Sequence, residues 1–595
     1  MPSNPPAPNP TGSKEAGLHP AAGWALALLL GVVASLVVAL PELQALRGGA
    51  LLGYQNDDWL GAIALHHGTH QALLAFEAPW LHRAFMWPTG MNLLPANGAN
   101  ILEFLLSGLL KALGAEHPLS FTPLLILPLN LLGFVPLGLH LWKRWGPTLA
   151  AAMVWTLLPP SLGELATGRM TQALLFALPL VMLALLRLKG GGWRNAVLLG
   201  VSGALLALSY WFYAAMAVLC LPLFLIAHRQ RGQALLKELL LAAAIAAAIT
   251  SPWWISLALV GLPSPQAGGL DAAQLSPLFA DVLALNGAWP THLRGWLPAI
   301  LVPGLIWTLT TRARQQLPWI AMLLLCWVMA MGPAQELGAR VWRLPAYPLW
   351  RWVPGFDAFH HPDRWLHVAG LPLVVLAFDA AARTKKKGLS LALSALAPVA
   401  LVVQAFGMGW LPLGTWNPTP PTLWQALDAR PETGAILVVP VLQSPLASAW
   451  QHHHQRPLMG GVFEAQPWFI DPAHLDAMGR SPLVVSLWKQ RGQNAPAVTF
   501  NQGDQAYFEQ NHIDTVVLDE AAWRKAHGHP STATRRSITQ ALGQPKHQDA
   551  SGAIWVLPPE ATQGALLENA VDLRISGPPG PPPGPGAASP KAPGR

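Results

Sequence analysis

The chain has 595 residues, of which 52% are hydrophobic and only 11% charged, against roughly 25% charged in an ordinary soluble domain. So few charges cannot cover a water-soluble protein of this length, whereas a bilayer accepts apolar side chains across a hydrocarbon core about 30 Å thick. The net charge of +8 sits in short basic clusters between apolar runs, which fits the positive-inside bias better than a nucleic-acid partner.

The 28 Trp against 5 Tyr suit membrane interfaces, where an indole keeps its ring apolar and its N–H wet. Both cysteines, Cys220 and Cys326, lie inside apolar runs, which excludes a disulfide framework and a C-x-x-C metal site. Residues 1–20 are polar and Pro-rich and read as a disordered cytoplasmic tail. The run Ala21–Leu40 is long enough to span, and Pro41-Glu42-Leu43 follows it in place of a small-residue cleavage pattern, so it reads as a signal anchor.

Eleven apolar runs fall near 22–42, 118–142, 146–160, 170–188, 195–210, 211–227, 235–259, 296–311, 317–333, 365–382 and 388–410. Several are shorter than the roughly 20 residues a simple span needs, so some must be broken, tilted or extended. Every second junction is basic: Lys143 and Arg144, then Arg187, Lys189 and Arg194, then Arg229, Arg231 and Lys237, then Arg312 and Arg314, then Arg383 and Lys385–Lys387. Placing those junctions in the cytoplasm puts the N-terminus inside and the C-terminus outside. Ile101–Leu113 would reverse that order if it crossed. Its dozen residues, with Glu103 and Lys111, fit a helix lying on the membrane. The first external loop then runs from 43 to 117. Substantial external loops follow at 260–295 and 334–364, and loops carry function.

After Trp410 the composition changes. Short apolar runs at Ala435–Pro440, Thr515–Asp519 and Ala553–Leu557 alternate with polar, helical-looking stretches, which reads as a small α/β domain over 411–560. The Pro/Gly-rich tail 561–595 reads as disordered.

Three outer patches carry the candidate chemistry. Tyr54-Gln55-Asn56-Asp57-Asp58-Trp59 lies just past the outer end of the first helix. Adjacent carboxylates there need water, a cation or a partner; they are either reactive acids or solvated residues capping a helix that begins near Trp59. Gly163–Gln172 contains Glu164, Arg169 and Gln172 at the outer junction of the third and fourth runs. Arg169 either holds a phosphate bidentately or pairs with Glu164. Phe356–Trp365 contains His360, His361, Asp363 and Arg364 before the tenth run, with Arg364 either a phosphate ligand or a snorkelling anchor.

An inward N-terminus, an early acidic pair in a long first external loop, surface-lying helices and many further spans resemble the GT-C superfamily of polytopic glycosyltransferases, which use lipid-phosphate-linked sugars. The resemblance covers roughly residues 20–410. It implies a mainly α, GT-C-like bundle of about eleven spans over 21–410, with the 411–560 domain outside the cytoplasm, in a cell's inner (plasma) membrane. Asp57 and Asp58 match the family's catalytic base or metal ligand. The Gly163–Gln172 turn is similar to Gly-Arg/His-x-x-Gln turns of GT-C-type bacterial proteins. The third patch resembles an aromatic-x-x-Pro-x-Arg sequence in a broad GT-C-like set that includes the YfhO-like group, from which it departs by having His360-His361 where Arg or Tyr is common. The implied partners are the bilayer, a polyprenyl-phosphate-linked sugar and an extracytoplasmic acceptor, with Asp57 and Asp58 catalytic. Tyr54, Trp59, Glu164, Arg169, Gln172, His360, His361 and Arg364 would bind substrate.

A divalent cation is the one cofactor the residues suggest: His66 and His70, one helical turn apart, could share it with Asp57 or Asp58. His66, His67 and His70 lack the Glu of an H-E-x-x-H helix, and His452-His453-His454 reads as an exposed run. No G-x-S-x-G elbow or Walker lysine is present. Most spans carry no central charge, which weakens an ion-coupled transporter. Two non-enzymatic readings stand beside the transferase: a GT-C-shaped binder of a lipid-linked glycan, and a transporter broken at Pro159-Pro160 and Pro252. Convergence of the acids with Arg169 and Arg364 in one outward cavity separates them, since a transporter places its polar groups near the midplane.

The orientation is tested by reporter fusions at residue 415: an exported-phosphatase fusion is expected to be active and a cytoplasm-only reporter silent. Cysteines at positions 97 and 116 should both react with an impermeant reagent added outside; labelling of one alone would mean that Ile101–Leu113 crosses.

Overall fold

The computed structural model describes residues 18–92, 101–226, 232–260, 299–337, 340–353, 356, 361–384, 387–409, 411–430, 432–441, 445–460, 472–488 and 500–557. Of the expected tail 1–20, residues 1–17 lie outside the described residues and Pro20 already opens the first helix; the tail 561–595, most of the external loop 260–295, and His360 also lie outside the described residues.

A helix occupies each of the eleven apolar runs. Among the described residues six helical stretches are long and apolar enough to cross a membrane: Pro20–Ala39, Pro118–Trp142, Trp145–Ala166, Met170–Gly190, Gly232–Ile255 and Pro362–Arg383. Trp193–Ser209, Trp211–Leu225, Leu317–Ala330 and Ser394–Gly407 are apolar but shorter. The eighth run, expected from 296, is helical only over Val302–Arg312 after a short 3-10 turn. The helix Leu102–Ala112 has 11 residues, a length of about 16 Å that falls well short of a bilayer core.

The spanning helices hold prolines because neighbours satisfy the backbone groups that proline frees. Pro118–Trp142 carries Pro123, Pro128 and Pro136 and also a buried asparagine. The Asn130 amide donates to the Ala173 carbonyl at 2.7 Å, and its oxygen accepts from the Leu175 N–H at 2.8 Å. One side chain thus bridges the break between helices Met170–Ala173 and Ala177–Arg187. Gly133, one turn further along, lets the chains touch: a Cβ there would lie 2.3 Å from the Phe176 carbonyl oxygen.

Trp365–Arg383 is the central post, buried along almost its whole length. At its far end Asp379 takes Arg383 at 2.8 Å and Arg312 at 3.2 Å, while Arg144 donates to the Ala382 carbonyl at 2.8 Å. Three of the basic junctions therefore meet at one end of the bundle. Arg364 begins the opposite end.

Residues 435–556 contribute a four-stranded sheet in the order Ala435–Val439, Ile513–Asp519, Gly552–Val556, His547–Asp549. The first pair is parallel and the rest antiparallel. Ala435–Val439 is buried at every position, as an unbroken apolar strand covered on both faces should be. This region is stitched to the first loop by backbone. Leu51–Leu52 pairs antiparallel with Thr415–Trp416, and Gly53 N–H reaches the Gly414 carbonyl at 2.6 Å. Trp87 N–H donates to Leu458 O at 2.9 Å, and Leu458 N–H donates to Ala84 O at 2.8 Å.

Gly53 sits at φ +97°, where a Cβ would fall 1.9 Å from the Ala166 carbonyl oxygen. Gly53→Ala is expected to cost about 2 kcal/mol or more from strain and overlap together. A lowered thermal midpoint of the purified protein checks this.

Candidate active site

The helix Asp57–Leu74 starts at Asn56, whose side-chain oxygen accepts the Trp59 N–H at 3.0 Å. Asn56 is thus the cap, and the acidic pair lies in the first turn, where the helix dipole favours negative charge. The two acids have different partners. Asp58 Oδ2 receives both Nε and Nη2 of Arg169, at 2.9 and 2.8 Å. Asp57 pairs with the Lys525 ammonium from the C-terminal region, and both side chains are about half exposed.

Behind Asp58 the charges continue inward. Arg169 Nη1 lies 3.5 Å from Glu164 Oε2, and Glu164 Oε1 lies 3.4 Å from His367 Nε2. Glu164 and His367 are buried. Burial opposes the charge on Arg169, yet Glu164 and Asp58 outweigh it and hold the guanidinium above its usual pKa. Arg364 bonds the Tyr210 hydroxyl, with its guanidinium 5.4 Å from the ring centroid. Asp363 interacts electrostatically with Arg364, Glu164, His367 and Arg169. The Tyr213 hydroxyl donates to the Gln172 carbonyl at 2.8 Å. Tyr54 stands at the rim; burial raises its pKa, and Arg169 partly offsets that.

Asp58, Glu164, Arg169 and Arg364, read from three separate stretches, therefore share one cluster at the end of the post opposite Asp379. The pairing of Glu164 with Arg169 exists, but Arg169 also reaches Asp58, and Arg364 is held by Tyr210. Other expectations need correcting. Trp59 offers no face to a substrate: it is 0% exposed, its indole N–H donates to Ala166 O at 3.2 Å, and it packs where Gly168 leaves room. The Gln172 side chain is buried. His361 stays at the edge, 3.8 Å from Asp363.

His66 and His70 do not join the acids. Both turn to the Ser107 hydroxyl, at 2.7 and 3.1 Å, and they lie eight or more residues along the helix from Asp58, about 12 Å or further. Among the described residues no group of three or more His, Cys, Asp or Glu is arranged to hold a metal ion. His66 and His70 therefore stand apart from Asp57 and Asp58, and these four residues do not form one ligand set. His367, Tyr210 and Tyr213 escaped the sequence reading. Their one signal was polarity in apolar surroundings, a histidine one turn after Arg364 and two of the five tyrosines at the seam between two runs.

No protein-family model matches the chain, and no curated protein sequence matches it. Its backbone is similar to solved membrane transferases. Against the arabinofuranosyltransferase AftD from Mycobacteria the TM-score is 0.53 at 16% identity, with 91% of this chain covered. The fold is GT-C-like. A mutant form of AftD, R1389S, superposes with a TM-score of 0.52, also at 16% identity, over 90% of this chain and 42% of that one. The chain spans 40% of the length of AftD. ArnT from Cupriavidus metallidurans gives a TM-score of 0.49 at 13% identity, over 91% of this chain and 98% of that one.

Removing one member of the inner cluster leaves other charges buried without compensation. Glu164→Gln is expected to destabilise the protein by about 3 kcal/mol. Asp58→Asn should cost less, about 1 kcal/mol, because Asp58 is nearly half exposed and Arg169 keeps Glu164 as a partner. Thermal unfolding of the two purified variants, compared with wild type, checks the contrast.

Proposed function

We propose that the protein is a membrane glycosyltransferase of GT-C type, which transfers a sugar from a polyprenyl-phosphate-linked donor to an acceptor outside the cytoplasm. The observation that carries this reading is the run of opposite charges from Asp58 through Arg169 to Glu164, which His367 flanks, with Arg364 and Tyr210 beside it, at the mouth of a GT-C-like bundle. A lipid-phosphate donor needs fixed cations at its phosphate and an acid at the sugar, within reach of both lipid and water.

In this reading Asp57 takes the proton of the acceptor hydroxyl as its oxygen attacks the anomeric carbon from the face opposite the phosphate. The carbon–oxygen bond to the donor phosphate breaks, and the lipid phosphate leaves with the electron pair, neutralised by Arg169 and Arg364. The product is inverted. Asp57 is the better base because its described partner is an exposed ammonium, whereas both nitrogens of one Arg169 edge hold Asp58. Asp58 then orients Arg169.

Purified protein is expected to turn over labelled polyprenyl-phosphate sugars. Asp57→Asn should abolish transfer, with the thermal midpoint kept. Arg364→Lys should weaken donor binding about tenfold or more although the charge remains, because the fork that grips two phosphate oxygens is lost. Donor binding with no transfer by the wild type would replace this reading with the non-catalytic binder; full activity of Asp57→Asn would remove the assigned base.

A further inference from the structure

Two histidine groups that the site does not use, one on the acid helix and one in the C-terminal region, meet in space. The short helices Pro445–Ala449 and Gln451–His454 pack on Asp57–Leu74. There the His67 and His452 rings lie 6.0 Å apart between centroids, and the His452 and His453 rings 4.0 Å apart. His454 stacks on Trp424 at 5.8 Å. The Nε2 atoms of His67, His453 and His454 are buried with no hydrogen-bond partner, while His452 Nδ1 is satisfied by the Ala449 carbonyl at 2.6 Å. So the run read as exposed is largely covered, and it faces another imidazole.

We propose that this imidazole cluster is a proton-binding latch: uncharged, it lets the C-terminal region close on the acid helix, and protonated, it forces the two apart.

The surroundings supply little countercharge. On the acid helix the neighbours are His66 and His70. Beyond it, His82 faces His67, Lys111 faces His70, Arg456 faces His454, and among the described residues Asp428 offers the opposite charge, to His453. Glu103, beside His66 at 3.8 Å, is pushed up to about 8 by burial, which weakens it as a countercharge. Burial first, and then neighbouring imidazoles, lower His67 and His452 to about 4, while burial and then Arg456 lower His454 to about 3. Once apart, these rings return toward about 6.5. Because the closed state has the depressed pKa values, its advantage is complete above about pH 6.5 and is lost as pH falls toward about 4. Over that window the open-to-closed ratio rises about tenfold per pH unit for each ring that takes up a proton. The acid helix carries Asp57 and Asp58 at its start, so the latch acts on the candidate site from behind.

The test uses the full-length protein in lipid nanodiscs, with nitroxides on Gln71→Cys and Gln455→Cys; both positions are exposed, and native Cys220 and Cys326 are buried. Electron–electron distance measurements should give one narrow distance at pH 7.5 and a longer, broader population that grows between pH 6.5 and 4.5. The added substitutions His67→Gln, His452→Gln and His454→Gln should keep the pH 7.5 distance and abolish the change. A wild-type distance that is the same at every pH overturns the latch, as does an undiminished change in the glutamine variant. Neither readout depends on the transferase reading.

Discussion

Everything at the candidate-site end of this bundle depends on keeping a carboxylate charged where packed helices exclude water. Glu164 is buried, and an isolated ion there would cost many kcal/mol. It persists because Arg169 and His367 flank it, and because Arg169 passes its remaining donors outward to Asp58. Each partner comes from a different part of the chain. The helices must therefore close in one arrangement for the ions to be compensated, so the cluster specifies the packing as well as the chemistry. The same logic runs at the other end, where Asp379 is shared by Arg312 and Arg383.

The C-terminal region is no appendage. Its pairing with Leu51–Leu52 and its contacts with residues 84–87 tie down the loop that presents the acids, and Lys525 reaches Asp57 directly. A loop of that length would otherwise sample many positions, and the charge pair at its tip would be poorly aimed. Backbone hydrogen bonds between segments some 360 residues apart in sequence restrict it without asking for any particular side chain.

That tolerance explains what could be read in advance and what could not. Apolar runs announce helices because burial in lipid demands length and composition together, and each of the eleven runs is helical. The strand Ala435–Val439 shows itself by its unbroken apolar character. The outer patches were legible because charge beside lipid is rare, which is why Asp58, Glu164, Arg169 and Arg364 stood out. Trp59 misled, since an aromatic next to two acids looks like a sugar platform until the room beside Gly168 is seen. Tyr210 and His367 were hidden because each polar atom is a small interruption in an apolar stretch. The pairing of His67 with His452 is purely tertiary, and no local pattern encodes it.

The central post has a further consequence. Charged groups are fixed near both of its tips, Arg364 at one and Asp379 with Arg383 at the other, and packing on all sides denies it freedom to lean. From Arg364 to Asp379 the helix climbs about 22 Å, less than the roughly 30 Å of a typical hydrocarbon core. Because Asp379 is paired inside the bundle and the post is buried along almost its whole length, the post can be shorter than a hydrocarbon core while longer neighbours such as Pro118–Trp142 supply the length to cross one.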